Sequence, residues 1–89
     1  MKAVLTVLGH DRIGIIYQVT GVLAENQVNV LDISQTIMQE VFTMVMIVDL
    51  EACPLKFEKL QERLNQLGEE MGMSIRIQHR EIFDSMHRI

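Results

Sequence analysis

The chain has 89 residues, 48% of them hydrophobic, and a formal net charge of −4. That length makes one small domain, which must fill its core well or share it with a partner, and the hydrophobic share excludes a disordered chain. The acidic balance lacks the Lys/Arg excess that a nucleic-acid interface needs, so no nucleic-acid partner is expected.

Val4 to Leu8 is a β-rich run bounded by Gly9 and reads as a first strand. The apolar stretch from Met1 is too short for a signal peptide and runs directly into His10-Asp11-Arg12. From Ile13, the residues Ile15, Ile16, Val19, Val22 and Leu23 recur at helical spacing. They predict a helix to about Asn26, with Asp11 or Arg12 near its start and Asn26-Gln27 as its stop.

Between these two elements lies Gly9-His10-Asp11-Arg12-Ile13-Gly14, the most informative stretch of the chain. A strand that passes through a glycine-flanked loop into a helix presents unpaired backbone N–H groups and the positive end of the helix dipole. Such a corner attracts a small anionic group.

Val28 to Gln39 alternates and predicts a long strand, with Leu31, Ile33, Gln35 and Ile37 on one face and Val30, Asp32, Ser34, Thr36 and Met38 on the other. A turn is expected at Gln39-Glu40. Phe42 to Leu50 is apolar on both faces, as in a strand at the middle of a sheet with something covering each side.

Cys53-Pro54 is expected to open a second helix, with proline at its first position. Leu55, Leu60, Leu64, Leu67 and Met71, joined by Phe57, form its apolar stripe, and Gly72 caps its C-terminus. Cys53 is the lone cysteine, which excludes an internal disulfide and favours a reducing, cytoplasmic location. No apolar run reaches the length of a membrane span, so no membrane partner is expected. Met73 to His79 alternates as a fourth strand, and Glu81 to Ile89 carries Ile82, Phe83, Met86 and Ile89 at helical spacing, a short amphipathic helix.

The order β-α-β-β-α-β predicts an α+β, ferredoxin-like domain over residues 1–80 with a helical extension over 81–89. Right-handed crossovers give a four-stranded antiparallel sheet of order 4-1-3-2 with both helices on one face. The second strand is then an edge, with no proline to block pairing, and a homodimer is expected. Either the tail helix or another subunit is expected to cover the open face of the sheet.

This order, with Gly-x-Asp-Arg-x-Gly after the first strand, resembles the ACT domain over nearly the whole chain. Gly9 to Ile16 is similar to that family's loop and helix start, Val28 to Gln35 to its second-strand "N-I-x-D-I" motif, and Phe42-Thr43-Met44 to its third-strand start. The closest resemblance is to the free-standing single-ACT proteins of the uncharacterised UPF0237-like family, related to the glycine-cleavage repressor group, whose C-terminus Ile82 to Ile89 also resembles. The resemblance implies a regulatory module that binds an amino acid at a dimer interface through the first loop and the second strand. His10 stands where the family commonly has a proline.

The candidate ligand-binding residues are therefore Gly9, His10, Asp11, Arg12, Ile13, Gly14, Asn29, Leu31 and Asp32. Asp11 either pairs with a ligand ammonium while the amides near Ile13 and Gly14 take its carboxylate, or simply caps the first helix. Arg12 either anchors a carboxylate or is a solvated loop charge. The two glycines serve either ligand approach or the demands of turn and packing. His10 is expected at a loop tip. Asn29 and Asp32 are expected near the first loop, as ligand contacts or as a turn residue and an edge charge.

No metal or cofactor is expected, because His10, His79 and His87 do not converge with other ligands in sequence. No catalytic residue is assigned: a hydrolase using Arg12 would lack a nucleophile, and an RNA-binding sheet would lack its aromatic pair. The alternative to a ligand-binding module is a protein–protein interaction module without a small ligand, and a regulatory protein partner fits either reading.

Overall fold

The computed structural model describes residues 1–81 and shows β1 (Lys2–His10), α1 (Ile15–Glu25), β2 (Asn29–Met38), β3 (Val41–Asp49), α2 (Phe57–Met71) and β4 (Ser74–His79). The four strands form one antiparallel sheet in the order β2-β3-β1-β4, the expected ferredoxin-like arrangement. The helix expected over residues 81–89 lies outside the described residues beyond Glu81.

One contiguous core holds the fold together. Ala3, Leu5 and Val7 of β1, Phe42, Met44, Met46 and Val48 of β3, and Ile75 and Ile77 of β4 supply the sheet side. Ile15, Val19, Val22 and Leu23 of α1 and Leu60, Leu64, Leu67 and Met71 of α2 supply the other, so both helices cover the same face. Period 2 on the strands and period 3.6 on the helices meet in that layer.

α2 does not start at Pro54. Its N-cap is Lys56, and Leu60 N–H donates to Lys56 O at 3.1 Å. The chain from Asp49 first turns, with Asp49 Oδ1 accepting the Glu51 N–H at 3.0 Å and Leu50 O accepting the Cys53 N–H at 3.0 Å. The residue before proline favours extended backbone, and here the helix forms only after Lys56. Leu55 is out of phase with the stripe set by Leu60, Leu64, Leu67 and Met71, and it stays exposed. At the other end Gly72 adopts φ 67 and Met73 N–H returns to Gly68 O at 2.8 Å, the expected left-handed cap.

The alternation expected for β2 is broken by a bulge between Val30 and Asp32. Val30 sits opposite Val48 and packs against the core, on the helix side with Ile33, Gln35 and Ile37 rather than with Asp32. One extra residue, Leu31, shifts the pleat by one place. The hairpin from β2 to β3 turns on Gln39 and Glu40, both left-handed at φ 50 and 69, the pair of positive angles that a two-residue hairpin loop demands.

Candidate functional site

The Gly9–Gly14 stretch divides into a strand end and a short loop. Gly9 and His10 lie in β1, opposite Phe42 and Val41. His10 is therefore an exposed strand residue and not a loop tip. A Cβ on Gly9 would lie 3.0 Å from Met73 Sδ and Cε, the movable end of that side chain.

Residues 11–14 are pinned from two sides. Asp11 N–H donates to Glu40 O at 2.8 Å, which ties the loop to the hairpin turn. Arg12 Nη1 donates to Met71 O at 3.0 Å, at the C-terminal end of α2. That helix has no basic residue in its own last turn, so Arg12 supplies the favourable charge from across the fold. Arg12 is an exposed residue, and this bond ties the loop to α2.

Gly14 is the N-cap of α1 at φ 91, a conformation that strains any residue with a Cβ. Asp11 does not cap this helix. α1 has no side-chain cap and no acid in its first turn, and its first intrahelical bond runs from Gln18 N–H to Gly14 O at 2.9 Å. The N–H groups of Ile15, Ile16 and Tyr17 therefore have no partner within the helix, and the local field is positive. Asp11, three residues before the cap, is exposed, and its carboxylate has no partner among the described residues. A donor-rich helix end and an exposed carboxylate on one short loop have the two charges that a zwitterion complements. Ile13 is 98% exposed at the apex of this loop.

The structure separates the two halves of the candidate site. Asn29 pairs with Asp49, at the end of the sheet where β1 begins, whereas the loop follows His10 at the other end. Eight residue steps of β1 divide them, roughly 26 Å at about 3.3 Å per residue. The expectation that Asn29 and Asp32 sit near the loop of their own chain is incorrect. Antiparallel pairing of β1 with β3 places the end of β1 beside the Gln39-Glu40 turn, and so beside the end of β2. Asp32, next to the bulge, accepts the Ile33 N–H on its own Oδ1 at 2.8 Å, and Leu31 is the bulged residue, 46% exposed.

Beyond Val30, which packs against the core, β2 is exposed. None of its residues is buried; Ile33, Ile37 and Met38 are exposed, and Ile16 of α1 adds to them. The strand carries no proline or lysine, and Asp32 is its one charge.

Other groups singled out in the sequence serve packing. His79 lies against Phe57 with ring centroids 4.0 Å apart, and Cys53 packs against the core. A cavity of ≈ 390 Å³ runs between α1 and α2 past Tyr17, Gly21, Glu25 and Glu70, and one of ≈ 430 Å³ lies by Met1, Lys2 and His79. Neither is lined by residues 9–14. The carbonyls of Glu40 and Met71 escaped the sequence reading because backbone acceptors leave no residue-type signature. The first was implied by the topology, since a β1–β3 pair brings that turn to the loop.

The family model for the ACT domain matches residues 2–78. Among curated relatives, a UPF0237 protein of Clostridium acetobutylicum is 51% identical over 89 residues, covering 100% of both chains. Among solved structures, an ACT domain protein from Streptococcus pneumoniae superposes with a TM-score of 0.83 at 38% identity, over 98% of each chain. A putative glycine cleavage system transcriptional repressor shares the fold, with a TM-score of 0.74 at 20% identity over 86% of this chain and 44% of that one.

Proposed function

The chain belongs to the ACT domain family of small regulatory ligand-binding modules, and from that premise we propose that it is a cytoplasmic homodimer that binds an amino acid between two copies. One observation supports this most directly: the loop and Asn29 stand at opposite ends of a strand that is exposed at every residue but Val30. When two such edges pair antiparallel about a two-fold axis, the start of one β2 comes to the end of the other. Asn29, Leu31 and Asp32 of one copy then approach Asp11 to Gly14 of its partner.

In that arrangement the amides at the start of α1 take the ligand carboxylate and Asp11 takes its ammonium. Gly14 leaves the approach to those amides free of a side chain. Ile33, Ile37 and Ile16, exposed in the single chain, are buried between the copies. Arg12 holds the loop in place through Met71.

The test combines mass and melting temperature. Light scattering is expected to give twice the chain mass. A panel of the standard amino acids, each at millimolar concentration, is expected to contain at least one that raises the melting temperature; at one hundred times its Kd, a ligand stabilises by about 2.7 kcal/mol. A concentration-independent monomer overturns the site. A dimer that no amino acid stabilises turns the reading toward a protein–protein interaction module.

A further inference from the structure

Gly14 and Gly72 have positive φ, and a Cβ on Gly9 or Gly68 would come within 3.0 Å of Met73. Gly21 has neither feature. It lies inside α1, where glycine weakens a helix relative to alanine, and a Cβ there would meet nothing within 4 Å. The packing of this chain does not require the bare position, so the space above it calls for a second explanation.

That space is the ≈ 390 Å³ groove between α1 and α2. Its floor is apolar, with Val22 and Leu67 both buried. Tyr17 and Glu25 stand one helical turn to either side of Gly21, and Glu70 lines the groove from α2. Tyr17 is 81% exposed. Neither Glu25 nor Glu70 has an ion-pair partner among the described residues. Among those residues no basic side chain lines the groove; Arg12, bonded to Met71 O, is not part of its lining.

We infer that this groove receives a basic amphipathic helix of a partner protein. One apolar side chain of that helix sits over Gly21, against Val22 and Leu67, and lysines or arginines on either side of it face Glu25 and Glu70. Charge and length select this occupant. A second copy carries a net charge of −4 and brings the same two carboxylates to the groove. Tyr17 and Glu25 are about 12 Å apart along α1, which two turns of helix span and a single small cation does not.

Tyr17 is the only tyrosine and the chain has no tryptophan, so tyrosine emission of the full chain reports on the groove. An amphipathic helical peptide of leucine and lysine is expected to change that emission saturably, and its leucine–glutamate counterpart to leave it unchanged. Gly21→Leu fills the floor from within. It is expected to keep or raise the melting temperature while weakening peptide binding about tenfold or more, as blocking a central contact does. Glu25→Gln combined with Glu70→Gln is expected to weaken binding as well. Unchanged affinity in either variant overturns the inference. So does arginine amide reproducing the emission change, since the occupant is then a small cation, or a halved light-scattering mass in Gly21→Leu, since it is then a second copy. None of these outcomes depends on an amino acid binding at the loop, so this inference and the ligand reading fail separately.

Discussion

β2 and β3 are neighbours in one sheet, similar in length and both rich in apolar residues, yet their fates differ. On β3 every second residue from Phe42 to Val48 is at most 2% exposed, whereas no residue of β2 is buried. Position explains the difference. β3 lies between two strands and under the helices, and β2 lies at the edge, where only Val30 packs against the core. The apolar residues of β3 stabilise the single chain, and those of β2 are available to something outside it.

The strongest test of this contrast is truncation on each strand. Met46→Ala is expected to cost about 2–5 kcal/mol in urea unfolding, since it empties a filled core. Ile37→Ala, already half in solvent, is expected to cost under about 1 kcal/mol in a monomeric chain. Equal losses would place both strands in the same core.

A second test touches the core side alone. A Cβ on Gly68 would meet Met73 O at 2.7 Å, so Gly68→Ala is expected to lose about 1–3 kcal/mol by overpacking between α2 and β4. The edge has its own counterpart. Ile33→Lys is expected to shift the light-scattering mass from dimer to monomer while circular dichroism stays native, because lysine blocks pairing of an exposed edge.

Two smaller effects concern the loop. Arg12→Gln is expected to lower stability by about 1 kcal/mol, the net worth of its bond to Met71 O. Replacing Gln39-Glu40 with Asn-Gly is expected to raise the melting temperature by relieving about 1 kcal/mol of left-handed strain. An unchanged melting temperature would show, in the first case, that the bond to Met71 O adds nothing net and, in the second, that the turn is unstrained.

The sheet order, the two helices and the Gly72 cap were legible because each rests on periodicity or on a residue with one conformational specialty. The start of α2 was not, because Pro54 suits a first helical turn and an extended approach equally well until Leu60 sets the phase. The bulge at Leu31 leaves no mark in composition, and so Val30 was assigned to the wrong face. At the candidate site the residues were legible but not their company. Arg12 announces a cation, and only the fold shows that a helix end already holds it. Asn29 and Asp11 read as partners, and the topology sets them at opposite ends of the strand.

The bulge has one more consequence. A smooth exposed edge matches a copy of itself at many offsets, each two residues from the next. In the proposed dimer, one extra residue near the start of β2 would end that translational freedom. Sliding the copies along each other would drive the kink of one into the flat stretch of the other. Leu31 would then work as the notch of a ruler, holding the proposed pair in a single alignment.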